Sequence, residues 1–163
     1  MHRDAYYYKT IASPVGRLIL VASDKGLCAV LFAKGKLALP EGAQEAVDHP
    51  CLTRAETQLA EYFAGKRRHF DLPLCASGTV FQLKVWKELQ KIPYGRTISY
   101  GTQARGMGDA KKARAVGIAN GRNPLSIVVP CHRVVGSDGS LTGFGGGLKA
   151  KAYLLALEQK FAA

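Results

Sequence analysis

The first third of the chain alternates apolar, β-branched and aromatic residues with polar ones, a pattern typical of β-strands. Three such stretches, residues 6–12, 18–21 and 27–32, are separated by turn residues at Ser13–Gly16 and Asp24–Gly26. Short connections of this kind join neighbouring antiparallel strands. The pattern therefore predicts an N-terminal antiparallel β-meander.

Residues 34–74 lose this regular alternation and predict a surface loop, a helix and a further strand. The loop covers residues 34–48. The helix begins near Pro50, because proline is favoured in a first helical turn, and it ends at Gly65. Apolar residues alternate again over residues 70–74, which predicts a half-buried strand.

Beyond a linker at residues 75–78, the apolar spacing becomes that of helices. Thr79 and Gln82 have the spacing of a capping box. The helix that follows carries a buried stripe with a four-residue repeat at Phe81, Val85 and Leu89. A terminal helix is predicted over residues 148–160.

Two short helices joined by glycines are predicted in the middle of this second part. Ser99 is a candidate cap for a helix over residues 100–105, and Asp109 for a helix over residues 110–120. Glycines within residues 106–108 separate them. This is the outline of a helix-turn-helix, an outline that helical hairpins without any nucleic-acid partner share.

Composition and the predicted elements divide the 163 residues into two parts that differ in structure and in net charge. The elements indicate an α+β protein with a sheet-and-helix part, residues 1–78, and a mainly helical part, residues 79–163. The net charge is +11, and the second part holds 13 Lys and Arg against 4 Asp and Glu. Either a polyanion partner or a solvated lysine-rich surface accounts for this excess.

The chain has no apolar run of membrane-spanning length, and its first residues lack the apolar core of a secretion signal. We therefore expect a cytoplasmic protein without a membrane partner. Cys28, Cys51 and Cys75 have no metal-ligand spacing, so we interpret them as small buried hydrophobic residues with free thiols. No metal and no cofactor is expected.

Candidate chemistry lies in the run Pro130–Arg133, which follows the apolar residues 127–129, a predicted strand that ends at the proline. Cys131 and His132 are a thiol and a base. In extended backbone their side chains point to opposite faces, so contact needs a turn or a bridging water. The second part of the chain has few carboxylates, and Glu158 is the best candidate among them to orient His132. It lies on the predicted terminal helix, which must pack back on the core. The alternative is a buried thiol beside a core histidine.

The run resembles the active-site signature of the O6-alkylguanine-DNA alkyltransferases. The resemblance continues through an ordered set of segments, which are Ile98–Tyr100, Ala113–Gly117, Gly121–Pro124, Gly143–Gly147 and Leu154–Glu158. The first 78 residues match more loosely. The resemblance implies a ribonuclease-like N-terminal part, a winged-helix-like helix-turn-helix, and duplex DNA with an alkylated guanine as partner. It also implies a monomer that clusters on DNA.

The resemblance further implies a reaction in which the lesion is flipped out of the duplex and its O6-alkyl group moves to Cys131 once. O4-alkylthymine is a further implied substrate. His132 is the implied base, acting through a water, and Glu158 orients it. Asn123 braces the turn before the cysteine. Tyr100 rotates the nucleotide and donates a proton to the leaving guanine.

DNA contacts and a substrate pocket are implied in the same way. Arg114 fills the gap left by the flipped base, and the other implied DNA contacts are Tyr100, Gly101, Asp109, Lys111, Lys112 and Ser137. The implied pocket consists of Val134, Phe144, Gly145 and Gly146. Gly145 stands where some relatives have serine, so we expect a wider pocket that admits alkyl groups larger than methyl.

Two other functions remain open from the sequence. A damage-binding module would recognise alkylated DNA without transferring the group, although relatives of that kind replace the acceptor cysteine that this chain has at Cys131. A cysteine hydrolase would need an oxyanion site and attack by water on an acyl-enzyme. Neither requirement of the hydrolase has a signature of its own in the sequence.

Overall fold

A computed structural model describes residues 5–162. The expectation about a secretion signal concerns the start of the chain, and residues 1–4 of that segment lie outside the described range. Strands β1 (Tyr7–Ile11), β2 (Leu18–Ser23) and β3 (Gly26–Phe32) form the predicted antiparallel meander. The predicted loop also contains a strand, β4 (Gln44–Glu45), which pairs in parallel with β1. Both of its residues are exposed, so backbone pairing creates this strand without any apolar pattern.

Helix α1 (Pro50–Phe63) packs against the sheet through Leu52, Ala55, Leu59 and Tyr62, all fully buried. It ends as predicted before Gly65, whose φ of +75° suits glycine. The strand predicted over residues 70–74 is wrong. One isolated bridge joins Leu74 to Leu27 there, and Pro73 between these apolar residues has no N–H to extend a ladder.

The second part contains mainly helices, as predicted, and the α+β fold is confirmed. Its elements are α2 (Val80–Leu89), β5 (Ile98–Ser99), α3 (Tyr100–Gly106), α4 (Ala113–Gly121), β6 (Val134–Val135) and α5 (Leu148–Ala162). Thr79 and Gln82 form the predicted capping box at the start of α2. Strands β5 and β6 pair in parallel and so hold the start of α3 beside the segment that follows Cys131.

Helices α3 and α4 form the helix-turn-helix. Ser99 caps α3 by accepting a hydrogen bond from the Thr102 backbone N–H at 3.0 Å. The Gln103 and Asn120 side-chain amides exchange two buried hydrogen bonds, 3.0 and 2.8 Å long, which fix the two helices to each other. The second helix starts later than predicted. Asp109 caps a 3-10 turn over residues 110–112, and α4 begins at Ala113 with no side-chain cap of its own.

The strand predicted over residues 127–129 is wrong, because this apolar segment is a turn. The Asn123 side chain accepts a hydrogen bond from the Leu125 backbone N–H (3.0 Å) and donates one to the Val129 carbonyl (2.9 Å). Ile127 has a φ of +73°, which is rare for a β-branched residue. Burial between the two parts of the chain explains why this turn is apolar, since Leu125 bridges to Val30 of β3.

One hydrophobic cluster runs through both parts of the chain, from the sheet to α5. Cys28, Cys51 and Cys75 are half-buried rather than buried, and their thiols are free. Within residues 5–162, no group of three or more His, Cys, Asp or Glu side chains is placed to hold a metal ion. In the same range, no helix has the length and apolar character needed to cross a membrane.

Candidate active site

A carboxylate on α5 is the centre of a buried polar network. Glu158, only 1% exposed, accepts hydrogen bonds from the Arg133 guanidinium at 2.8 Å (Nε to Oε1) and 3.1 Å (Nη2 to Oε2). His132 Nε2 lies 2.6 Å from Oε2, and the Tyr62 hydroxyl donates to the same oxygen at 2.7 Å. The Gly95 backbone N–H completes the set at 3.1 Å from Oε1. Three separate elements or turns therefore converge on one side chain of α5.

This network sets the protonation states of its members. Burial alone would raise the pKa of Glu158, but the hydrogen bonds and charges of His132 and Arg133 outweigh it and lower the pKa to about 2. Burial lowers the pKa of His132, against the opposing effect of Glu158. The imidazole is therefore neutral at pH 7, with its proton on the Nε2 that faces the carboxylate. Nδ1 is buried, has no hydrogen-bond partner in the described structure, and is left as a base.

Cys131 begins a 3-10 turn over Cys131–Arg133, so the backbone around the cysteine and histidine is not extended. The thiol is buried, and burial raises its pKa, while the Asn123 side chain and the positive charge of Lys151 act in the opposite direction. Lys151 is held in place by hydrogen bonds from Nζ to the carbonyls of Val134 (2.6 Å) and Thr142 (2.8 Å). The resting site thus contains a neutral thiol close to a fixed cation.

A small cavity beside this thiol shares part of its lining with a large groove. A cavity of about 20 Å³ lies against Cys131, and a groove of about 920 Å³ adjoins it. The groove runs between α4 and the glycine-rich segment 143–147, and it is lined by Tyr100, Arg114 and Phe144, among others. The Tyr100 hydroxyl is fixed there by a 2.9 Å hydrogen bond from the Thr142 hydroxyl. The groove is within the size range of sites that hold a small molecule or a single base.

Several predicted DNA contacts lie outside this groove. Asp109 uses its carboxylate to cap the 3-10 turn, and the Lys112 ammonium lies over the Phe81 ring at 5.8 Å from its centroid. Lys111 is exposed, and Ser137 is exposed in the turn after β6. At these positions the side chains can contact the phosphate backbone of DNA around the groove. The roles of these residues in DNA binding stay predictions.

The predicted pocket residues divide in a similar way. Phe144 and Gly145 line the groove. Val134 is fully buried, its backbone N–H donates to the Cys131 carbonyl, and its own carbonyl accepts from Lys151. Gly146 packs on Phe32, whose ring would lie 2.5 Å from an added Cβ. Gly101, which was predicted as a DNA contact rather than as a pocket residue, lies in the first turn of α3.

Sequence reasoning missed Arg133 and Tyr62 of this network, and it also missed Lys151, whose charge acts on Cys131. Arg133 is part of the same run as the cysteine, but a charged residue is expected to be exposed, and this one is 6% exposed. Lys151 falls on the same helical stripe as Leu154 and Glu158, at spacings of three and four residues. That spacing is the signal that would have identified it.

Models of two protein families match almost the whole chain. Residues 6–76 match the ribonuclease-like domain of 6-O-methylguanine DNA methyltransferase, and residues 80–160 match its DNA-binding domain. Among curated proteins, the methylated-DNA–protein-cysteine methyltransferase of Methanosarcina acetivorans is 45% identical over 93% of this chain and 97% of its own. The constitutive enzyme of that name from Bacillus subtilis is 42% identical over 94% of this chain and 95% of its own.

Solved structures agree with these matches. The crystal structure of Mycobacterium tuberculosis O6-methylguanine methyltransferase superposes with a TM-score of 0.87 at 44% identity, covering 97% of this chain and 95% of that one. The structure of the M. tuberculosis protein in complex with DNA superposes with a TM-score of 0.88 at the same identity, covering 95% of this chain and 94% of that one. The chain therefore belongs to the 6-O-methylguanine DNA methyltransferase family of enzymes.

Proposed function

We propose that this protein repairs DNA by moving the alkyl group from O6 of an alkylated guanine to the sulfur of its own Cys131. One observation carries the proposal beyond family membership. The thiol lines a small cavity that shares four lining residues with a groove along the second helix of a helix-turn-helix, and a buried neutral histidine backed by a carboxylate is the next residue. An acceptor for a flipped base needs this combination of nucleophile, base and access.

The reaction begins with removal of the thiol proton. His132 Nδ1 accepts it through a bridging water, while Nε2–H keeps its hydrogen bond to Glu158. The thiolate sulfur then attacks the alkyl carbon, the S–C bond forms, and the bond between that carbon and O6 breaks. Its electron pair stays on the guanine, and the Tyr100 hydroxyl supplies a proton to this leaving group. Because a thioether is stable, each molecule reacts once.

The buried network provides the electrostatic part of the mechanism. After proton transfer, the imidazolium of His132 faces an anion, since Arg133 keeps Glu158 ionised. The Lys151 ammonium stabilises the thiolate, which is why its charge lowers the pKa of Cys131 against the effect of burial. The charges are fixed before the reaction begins, so little reorganisation is needed.

Access to the lesion requires base flipping. A guanine within the stack cannot bring its O6 to a thiol in a cavity, and extruding it costs a few kcal/mol. Arg114 is exposed on α4 and lines the groove, so its guanidinium can occupy the place of the base in the duplex. Tyr100 lines the same groove and turns the nucleotide toward Cys131.

The test is transfer from a duplex that contains a single O6-methylguanine, supplied in excess over the protein. We expect methyl loss from the DNA to stop when it equals the amount of protein, and Cys131→Ala to bind the duplex without transferring the group. Binding without transfer by the unaltered chain would instead indicate a damage-binding module. Repeated turnover on acyl substrates would indicate a hydrolase. Running the assay on O4-methylthymine decides whether thymine lesions are substrates.

A further inference from the structure

The cavity against Cys131 has walls from both parts of the chain. Asn120, Gly121, Asn123, Ser126 and Gly145 come from the second part. The opposite wall comes from β3 and the loop after it, through Leu31, Phe32, Gly35, Lys36 and Leu37. The N-terminal part therefore contributes directly to the space in which the sulfur reacts.

Four residues line both the cavity and the groove and therefore lie between the two spaces. These are Lys36, Leu37, Gly121 and Gly145. The two glycines contribute no side chain, so Lys36 and Leu37 are the side chains that stand between the cavity and the groove. Leu37 is 37% exposed and belongs to neither hydrophobic cluster, so core packing does not account for a large apolar residue here.

The start of this loop is fixed against the glycine-rich segment. The Gly35 backbone N–H donates to the Phe32 carbonyl at 2.8 Å, and an added Cβ on Gly35 would lie 3.3 Å from the Gly145 carbonyl oxygen. The Phe32 ring meets the Phe144 ring edge to face, with 5.4 Å between centroids. Lys36 and Leu37 thus follow directly after a turn that is anchored on both sides.

We propose that Lys36 and Leu37 form a gate that selects the transferred alkyl group by size. This inference rests on the proposed transfer to Cys131. A cavity of about 20 Å³ accommodates a group the size of one water molecule or one methyl. A benzyl group reaches the sulfur only if the side chains of the gate move away. We therefore expect methyl to be preferred, in contrast to the wider pocket that Gly145 predicts from the sequence.

The test compares rate constants for transfer from O6-methylguanine and O6-benzylguanine in the same duplex. For Leu37→Ala, we expect the ratio of benzyl rate to methyl rate to rise at least about tenfold, the scale on which added space in an apolar pocket changes discrimination. Lys36→Ala should also raise the ratio of benzyl rate to methyl rate. Val47→Ala is the matched control, because Val47 is an exposed apolar residue between β4 and α1 that lines neither space, and it should leave the ratio unchanged.

The outcomes separate the two proposals. Equal ratios in Leu37→Ala, Lys36→Ala and Val47→Ala would overturn the gate, as would equal rates for both lesions in the unaltered chain. In either case, transfer of methyl to Cys131 would still stand. Absence of transfer from both lesions in the unaltered chain would instead overturn the proposed function.

Discussion

Arg133 is a buried residue that the sequence did not identify, and its guanidinium binds both the Glu158 carboxylate and a backbone carbonyl. Together with His132, Arg133 lowers the pKa of Glu158 and keeps the carboxylate ionised, and that anion determines which nitrogen of His132 carries the proton. The Nη1 group of Arg133 also donates to the Ile92 carbonyl at 2.7 Å, which ties the turn after α2 to the network. The position of Glu158 near His132 followed from the sequence because α5 had to pack on the core. The partner cation did not, since no local pattern indicates that an arginine is buried.

Arg133→Met tests this role in stability. We expect the free energy of unfolding at pH 7 to fall by about 3–5 kcal/mol, because a buried carboxylate loses its cation. Urea denaturation measures the change. Arg54→Met is the matched control, since Arg54 pairs with Asp71 at 2.8 Å on the surface, and such pairs contribute about 1 kcal/mol or less. Equal losses in the two variants would contradict the argument.

Arg114→Ala tests base flipping at a single side chain. Repair of the lesion in duplex DNA should fall by at least about tenfold, which corresponds to losing ~1.4 kcal/mol of the energy that offsets extrusion. Transfer from free O6-benzylguanine should not change, because the free base needs no flipping.

Arg105→Ala is the control, since Arg105 is an exposed arginine of α3 whose guanidinium contacts Thr102. It should retain repair of the duplex lesion. Equal loss on duplex and free base in Arg114→Ala would show that Arg114 supports the fold rather than the flipped state.

Among the elements, the turn over residues 123–130 shows where sequence reasoning succeeded and where it failed. Caps of α2 and α3 were predictable because each depends on residues within one helical turn. An apolar run before Pro130 predicts a strand equally well, but here the residues are buried as a turn in the core, beside β3. The conformation is held by the side chain of Asn123, an interaction that no hydrophobic periodicity reveals.

Asn123→Ala should therefore weaken both the fold and the site. Loss of two buried hydrogen bonds lowers the free energy of unfolding by about 2–3 kcal/mol. The rate with free O6-benzylguanine should fall too, because the turn positions Cys131. Asn123→Asp keeps the acceptor for Leu125 N–H and should recover part of the stability. If Asn123→Ala had the stability of the unaltered chain and its rate of transfer from free O6-benzylguanine, this account of the turn would be contradicted.

For the whole molecule, one core joins the two parts of the chain, and both parts line the cavity of the proposed active site. The Tyr62 hydroxyl from α1 reaches Glu158 of α5, and Leu37 reaches the space beside Cys131. The sequence predicts the two sets of elements separately. It does not predict their contact, because contacts between residues nearly a hundred positions apart leave no periodic signal.

Acid should destabilise the molecule in two steps. The pKa of His132 is lower in the folded chain than its ordinary value of 6.5, so the unfolded chain binds more protons and stability falls as the pH drops below about 6.5. Glu158 has a folded pKa of about 2 against an ordinary value of 4.5, so its contribution is present above pH 4.5 and is lost between 4.5 and 2.

Urea unfolding of the unaltered chain and of His132→Gln over this pH range measures both steps. The variant should lack the upper step and show a smaller lower one, because His132 and Arg133 both lower the pKa of Glu158. Stability of the unaltered chain that does not change between pH 7 and 5 would contradict a neutral His132 in the folded protein.

The central claim is that Cys131, among the four thiols, is the acceptor. The most direct measurement is mass spectrometry of the intact and digested protein after reaction with a duplex containing O6-methylguanine. We predict one added methyl per molecule, replacing the thiol hydrogen of Cys131, with Cys28, Cys51 and Cys75 unmodified. A protein of unchanged mass, or a methyl on one of the other three cysteines, would contradict the account.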